Sequence, residues 1–125
     1  MKFISVIPVL STADLERDVA WYTEKTGFRC VSDQEGYAIM QRGGAEFHLQ
    51  WHHGTAEDPV HPGVMRIWLD SGLLELFEEF VARGTVTPDK LRRATPWGTN
   101  EFGFYDPNGN AVFVMEDLPA GGKGA

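Results

Sequence analysis

The sequence has little cysteine, few basic residues and no long apolar run. Its one cysteine, Cys30, cannot form an intramolecular disulfide, which is typical of a reducing compartment. No apolar run approaches the length of a membrane span, and MKFISVIPVL lacks the small-residue cleavage site of a secretory signal peptide. We therefore expect a cytoplasmic protein that has no membrane partner.

The scarcity of basic residues limits the kinds of partner. The chain has 11 Lys and Arg against 18 Asp and Glu, which gives a net charge of −7. Nucleic-acid binding needs a basic stripe, and the few basic residues here are scattered, so we expect no nucleic-acid partner. The acidity favours a cationic ligand, or it serves solubility alone.

Several sequence signatures of catalysis and metal binding are also absent. There is no Ser-His-Asp set, no glycine-rich phosphate loop and no CxxC motif. His52 and His53 are adjacent on an extended segment, so their side chains point in opposite directions and cannot readily chelate one ion. Glu75, Glu78 and Glu79 fit a solvated helix face better than a catalytic carboxylate pair.

The first half of the chain predicts a strand, a helix and three further strands. Leu15, Val19 and Tyr22 recur at helical spacing, and Ser11 with Asp14 gives a start of the capping-box kind. The residues 42–44 form a hairpin signal between the last two strands. In chain order, the predicted elements are FISVIPVL, STADLERDVAWYTEKTG, FRCVSD, YAIMQ and AEFHLQWH.

The second half repeats this order. Leu74, Phe77 and Val81 share one face of the predicted helix, and a weak strand is expected at residues 85–87. The turn at residues 106–110 has proline early and glycine where positive φ is needed. The remaining elements are VMRIWLD, SGLLELFEEFVARG, NEFGFYD and NAVFVMED.

Two such βαβββ modules predict an α+β fold with curled mixed sheets around a concave cleft, a natural ligand site. We expect a single domain at residues 1–118, with the first module at about 1–53, a linker at about 54–63 and the second module at 64–118. Residues 119–125 are expected to form a flexible tail.

Two stretches resemble a known family. IPVLSTADLERDVAWYTEKTGF is similar to the first strand and helix of the bleomycin-resistance branch of the vicinal oxygen chelate superfamily, and PWGTNEFGFYDPNGNAVFV to its late loop and final hairpin. That superfamily includes glyoxalase I and extradiol dioxygenases, and the paired βαβββ order extends the resemblance over nearly the whole chain. The resemblance implies the glyoxalase/bleomycin resistance fold.

The superfamily's enzymes hold a divalent metal through side chains from four strands, usually His, Glu or Gln. The matching positions here are Ile7, His48, Val64 or Met65, and Phe113, of which only His48 is a good donor. A catalytic ion needs several converging ligands. The resemblance therefore implies no metal, no other cofactor and no catalytic residue.

The same resemblance implies a ligand site. Members of the bleomycin-resistance branch stack the drug on an aromatic of an early strand and on the tryptophan of the PWG loop, which match Tyr37 and Trp97. Strand alternation places His48 on the polar face of its strand, and Phe113 and Ile7 fall at cavity positions. Each of these five residues could instead be an ordinary core or strand residue without a role in binding.

We therefore expect a metal-free binding protein that sequesters a planar, cationic ligand of the bleomycin type. The resemblance also implies a homodimer, in which Pro8 marks the point where the first strand crosses to the partner subunit. One alternative is a metal-dependent glyoxalase-like or dioxygenase-like lyase or isomerase with ligands elsewhere. Another is a binding module for a different metabolite.

Overall fold

The computed structural model describes residues 1–119, and the chain divides into two compact units, Met1–Gly63 and Val64–Ala125. Within these residues each unit has one α-helix and one mixed sheet, which confirms the predicted α+β class. The predicted flexible tail lies outside the described residues, except for Pro119. Within residues 1–119, neither helix is long and apolar enough to cross a membrane.

The first unit has the predicted βαβββ order. Strand β1 is parallel to β4, and the antiparallel β3 and β2 complete a sheet of order β1-β4-β3-β2. The hairpin predicted at residues 42–44 joins β3 to β4. The elements are β1 Val9–Thr12, α1 Leu15–Thr26, β2 Arg29–Gln34, β3 Tyr37–Arg42 and β4 Ala45–Trp51.

Strand β1 is shorter than the sequence indicates. The prediction began it at residue 3, yet the strand covers only Val9–Thr12. Pro8 has no N–H to donate, and its carbonyl accepts from His48 N at 2.9 Å, at the point where pairing with β4 begins. Phe3, Ile4 and Val6 before it are between 87% and 96% exposed.

Helix α1 covers Leu15–Thr26, between the predicted capping residue Asp14 and Gly27, the last residue of the predicted helical segment. Asp14 is the N-cap, and its carboxylate accepts from Arg17 N at 3.1 Å. Gly27, with φ of 72°, provides the left-handed C-terminal residue. Ser11 does not cap the helix, because it lies within β1.

The core of the first unit lies between α1 and its sheet. The buried ring of Tyr22 from α1 lies 4.8 Å from the ring of Phe47, and Phe28 lies 5.2 Å from Phe47 on another side. Met40 and Leu49 are fully buried beside them. This packing identifies the helix side of the sheet, and therefore also the opposite face.

The second unit has three strands in the order β5-β7-β6, with β5 parallel and β6 antiparallel to β7. The strand expected at residues 85–87 is absent. Thr85 N donates to Phe80 O at the end of the helix, buried Val86 joins the core beneath the helix, and Pro88 opens a short 3-10 helix. The elements are β5 Val64–Leu69, α2 Leu73–Ala82, the 3-10 helix Pro88–Lys90, β6 Thr99–Tyr105 and β7 Ala111–Asp117.

Helix α2 packs through a slightly different face from the one predicted. Leu73, Phe77 and Phe80 are buried, whereas Leu74 is 45% exposed. The prediction was wrong for Leu74 and right for Phe77. The helix starts after a glycine that provides no side-chain cap, and the Glu116 carboxylate of β7 accepts from Leu73 N at 3.4 Å.

The predicted turn between β6 and β7 is held by an aspartate. The Asp106 carboxylate accepts from the backbone N–H groups of Asn108 and Asn110, at 2.8 and 2.9 Å, and from the Asn110 side-chain amide at 2.9 Å. Gly109 has φ of 83°, the conformation for which the turn needs glycine. The turn fixes the register of the final hairpin.

Candidate functional site

Each sheet has a helix side and an opposite face, which we call the helix-free face. In β4, Phe47 and Leu49 are buried on the helix side, so alternation places His48 on the helix-free face, as predicted. Trp51 continues the apolar set of the strand, but it is 50% exposed at the strand's end. Gln50 is two residues after His48 and therefore lies on the same face. Tyr37 of β3 pairs with Gln50, so it lies on the helix-free face as well.

A chain of hydrogen bonds crosses this face of the first unit. Tyr37 Oη lies 2.6 Å from His48 Nδ1, and His48 Nε2 lies 2.9 Å from Glu46 Oε2. The Gln41 amide donates to Glu46 Oε1 at 2.6 Å. The structure thus brings two of the predicted site residues, Tyr37 and His48, into direct contact.

The direction of these hydrogen bonds follows from the charge on Glu46. Hydrogen bonds from Gln41 and His48 lower the pKa of Glu46, so this half-buried carboxyl is ionised and accepts at both oxygens. His48 must then donate through Nε2, and in its neutral form Nδ1 accepts from the Tyr37 hydroxyl. His48 is therefore a member of a fixed network with partners at both ring nitrogens.

Ile7 lies just before β1, at the edge of the same face. It is half-buried, and the following residue's carbonyl binds His48 N. Val9, two residues later, pairs directly with His48. Ile7, which the sequence analysis placed at a cavity position, is therefore near His48. Its side chain offers only an alkyl group to a ligand.

In the second unit, Trp97 lies in the loop before β6. Its side chain is 50% exposed, and its indole Nε1 donates to Glu101 Oε1 at 2.7 Å. The guanidinium carbon of Arg92 lies 5.0 Å from the centroid of the Trp97 ring. Gly98, with φ of 86°, makes the turn that leads from Trp97 into the strand. Trp97 is thus oriented by its neighbours while half of its surface stays exposed.

Glu101 is the buried residue that orients Trp97. The same Oε1 atom also accepts from the Thr99 hydroxyl at 2.7 Å and lies 3.5 Å from Arg66 Nη2. Burial acts to raise the pKa of Glu101, but the hydrogen bonds from Thr99 and Trp97 and the charges of Arg66 and Arg92 outweigh it. The result is a lowered pKa. Glu101 is therefore ionised at neutral pH.

Phe113 lies on the helix-free face of the second sheet, in register with Arg66 of β5. The guanidinium carbon of Arg66 is 5.5 Å from the Phe113 ring centroid. The same ring packs closely over Gly103, where a Cβ atom would lie 2.6 Å from a ring carbon. Arg66 also contacts Glu101, and so it links Phe113 to the residue that holds Trp97.

The register of β5 distinguishes the two candidates for the third family position. Val64 pairs with Ala111 and alternates with Arg66, which places it on the helix-free face, where it is largely exposed. Met65 is buried on the opposite face. Val64 is therefore the candidate that shares a face with Arg66 and Phe113.

Sequence reasoning missed Arg66, Arg92 and Glu101. Strand alternation could have indicated Arg66, because Arg66 is two residues after Val64 in the predicted strand and so lies on the same face. No comparable signal existed for Glu101. A glutamate is almost never fully buried unless it is paired, and its partners come from other elements.

The residues at the family's metal positions do not fit a metal ion. Ile7, Val64 and Phe113 provide no donor atom, and both ring nitrogens of His48 already have side-chain partners. Among residues 1–119, no three His, Cys, Asp or Glu side chains are grouped so that they could hold an ion. His52 instead contacts Asp58, with 3.4 Å between Nε2 and Oδ2.

Known proteins resemble this chain in sequence over most of its length. Residues 6–114 match the family model of the Glyoxalase/Bleomycin resistance protein/Dioxygenase superfamily. The bleomycin resistance protein of Geobacillus stearothermophilus is 23% identical over 127 residues, which cover 90% of this chain and 96% of the relative. A protein of the same name from Staphylococcus aureus has the same identity and coverage.

Solved structures share the fold. A glyoxalase/bleomycin resistance protein/dioxygenase from Nocardioides superposes with a TM-score of 0.72 and 24% identity, covering 100% of this chain and 91% of the other. A bleomycin-binding protein complexed with bleomycin has a TM-score of 0.71 and 22% identity, covering 92% and 99%. These similarities establish the glyoxalase/bleomycin resistance fold for the chain.

Proposed function

The chain belongs to the Glyoxalase/Bleomycin resistance protein/Dioxygenase superfamily, and we propose that it is a metal-free protein that sequesters a planar small molecule. It acts by mass action, holding the compound without converting it. The relatives named bleomycin resistance protein and the fold shared with a bleomycin-binding protein support this class of function.

The observation that carries the proposal is the state of Trp97. A large apolar ring in a loop is half exposed, and a hydrogen bond from its indole nitrogen to buried Glu101 fixes its orientation. A ring held in place loses little conformational entropy when a planar compound stacks on it. Stacking contributes about 0.5–1.5 kcal/mol beyond the burial of area.

Tyr37 is the second proposed stacking residue. Its hydroxyl is bound to His48, and the two rings also make an edge-to-face contact at 5.2 Å, so rotation of the half-buried Tyr37 ring is limited. The negative charge of Glu46 in the same network supports a cationic group at this face, as the net charge of −7 suggests. His48 and Ile7 would line the site beside Tyr37.

The donor chemistry supports a metal-free site. Ile7, Val64 and Phe113 replace ligands with alkyl and aromatic groups, and the permanent charge of Arg66 next to Phe113 opposes a divalent cation. An apolar position favours contact with a flat or greasy group instead. We therefore assign no catalytic residue and no cofactor.

We further propose that the protein is a homodimer of single-domain subunits, each comprising residues 1–118. Phe3, Ile4 and Val6 are exposed ahead of Pro8, which would leave an apolar segment in water if the chain stayed monomeric. Exchange of this segment with the partner subunit would bury it. Light scattering should then give a dimer mass, and removal of residues 1–6 should yield monomers.

Calorimetric titration of chelator-treated protein with metal-free bleomycin tests the main proposal. We expect micromolar or tighter binding and quenched tryptophan emission. Trp97→Ala should weaken binding about tenfold or more, equivalent to about 1.4 kcal/mol, while the protein stays folded and its melting temperature falls modestly through loss of the hydrogen bond to Glu101. Trp51→Ala is the matched control, since Trp51 has the same 50% exposure on the first unit and no proposed role.

Three results would contradict the proposal. If Trp97→Ala unfolds the protein, Trp97 is a core residue. If protein purified without chelator contains a stoichiometric metal, the chain is a metalloprotein with ligands at other positions. Loss of binding in both tryptophan variants would show that their effect is general and does not come from the Trp97 loop.

A further inference from the structure

Arg66 projects from the middle of β5 onto the helix-free face of the second sheet. Its side chain is 39% exposed, and its guanidinium carbon lies 5.6 Å from the Trp68 ring centroid and 5.5 Å from that of Phe113. Contact with two aromatic rings holds the planar group in place while its charge is retained. The face therefore presents an oriented cation.

Within residues 1–119, most of the hydrogen-bonding capacity of this guanidinium is unused. Nη2 lies 3.5 Å from Glu101 Oε1, at the limit of a hydrogen bond, and 3.1 Å from the sulfur of Met115, a weak acceptor. Among residues 1–119, no acceptor is bound by the Nε or Nη1 groups of Arg66. These N–H donors remain for a ligand.

On this face the charges of Arg66 and Arg92 are matched by the Glu101 and Asp117 carboxylates, which both accept hydrogen bonds from neighbouring side chains. The Glu101 carboxylate is buried and occupied by Trp97 and Thr99 as well as by Arg66, and the Asp117 carboxylate accepts from Trp68 Nε1 at 3.1 Å. A second guanidinium, that of Arg92, lies over the Trp97 ring. Because the Debye length is about 8 Å at physiological ionic strength, distant acidic residues contribute little here.

The cation is next to the proposed stacking residue. Trp97 Nε1 and Arg66 Nη2 approach the same oxygen atom of Glu101, so the indole and the guanidinium are neighbours. A planar donor group beside a half-exposed aromatic ring matches a ligand that carries an oxyanion on a flat ring system. The guanidinium geometry matches a carboxylate in particular.

We infer that the helix-free face of the second sheet binds planar aromatic carboxylates, with Arg66 binding the carboxylate and Trp97 stacking on the ring. This inference rests on the proposed function and names the chemical class of its ligand. It differs from the expectation based on net charge alone, which favours a cation.

Calorimetry of the full-length protein with two matched probes tests this inference. The probes are 2-naphthoate and 2-naphthamide, which share the ring system and differ in charge. We expect wild type to bind naphthoate at least tenfold more tightly than naphthamide, and Arg66→Gln to abolish that difference. Arg66→Lys should retain part of it, because lysine keeps the charge but not the planar donors.

Arg93→Gln is the control, since it removes the same charge from an exposed residue of the same unit. It should leave the preference for naphthoate unchanged. Thermal melting checks that each variant is folded, and Arg66→Lys serves in place of Arg66→Gln if the latter unfolds. Equal binding of the two probes by wild type would overturn the inference, as would equal losses in Arg66→Gln and Arg93→Gln.

Bleomycin separates failure of this inference from failure of the proposed function. If bleomycin binds and naphthoate shows no preference over naphthamide, the inference is wrong and the proposed function stands. If neither bleomycin nor either naphthalene compound binds, both are wrong. If naphthoate binds through Arg66 and bleomycin does not, the carboxylate site is supported and bleomycin is excluded as its ligand.

Discussion

Replacing Glu101 by glutamine should destabilise the second unit in a pH-dependent way. The carboxylate is buried and binds the Trp97 indole and the Thr99 hydroxyl, each at 2.7 Å, with Arg66 nearby. Glutamine keeps the shape and one acceptor oxygen, but it loses the charge. Because hydrogen bonds to charged groups contribute about 1.5–3 kcal/mol, we expect a loss of about that size at pH 7.

The pH dependence follows from the lowered pKa of Glu101. A carboxyl whose pKa is lower in the folded chain than in the unfolded chain stabilises the fold at pH values above the unfolded pKa, here near 4.5. This contribution is lost as the pH falls through the folded pKa, because the wild-type carboxyl then becomes neutral. The difference between wild type and Glu101→Gln should therefore shrink on acidification.

Urea unfolding at pH 7 and at pH 3, followed by tryptophan fluorescence, measures both effects. Glu78→Gln, on the exposed side of α2, is the matched control and should change the free energy of unfolding by less than about 0.5 kcal/mol. An equal loss in Glu101→Gln at both pH values would refute the reasoning, because it would show that the ionised carboxylate adds nothing. Retention of full stability at pH 7 would refute it as well.

Two further substitutions test the packing and the hydrogen bonds near the site, each by urea unfolding. Gly103→Ala should cost about 1–3 kcal/mol, because the new Cβ would lie 2.6 Å from the Phe113 ring, whereas Gly44→Ala has open space and should be nearly neutral. An unchanged midpoint in Gly103→Ala would contradict that packing. Tyr37→Phe should cost about 0.5–1.5 kcal/mol, since it removes the donor to His48 Nδ1. Equal stability of Tyr37→Phe and wild type would mean that the hydroxyl contributes nothing.

Much of the fold could be predicted because its signals are local. The order of elements in the first unit, the turn at Asp106 and the alternation around His48 depend on neighbouring residues, on turn chemistry and on the two-residue period of a strand. The predicted site residues Tyr37 and Trp97 came from the family resemblance. The structure adds their partners but does not test their role in binding.

The errors lie where distant contacts override a local pattern. Apolar spacing alone could not determine that α2 buries Leu73 and exposes Leu74, because the contacts with the sheet select the face. Residues 85–87 have strand-like composition, but Val86 packs in the core beneath the helix and does not form part of a fourth strand. The first strand begins later than predicted because its pairing with β4 starts only at Pro8.

The sequence by itself indicated the family and the order of most elements, and it predicted residues without ligand atoms at three of the four metal positions, since these depend only on which residues occur and at what spacing. Tertiary structure alone decided that Glu101 is buried, that it holds Trp97, and that Arg66 lies beside them. The physical reason is that the burial of Glu101 and the exposure of Arg66 depend on contacts with residues from other strands and loops. Those partners meet when the sheet forms.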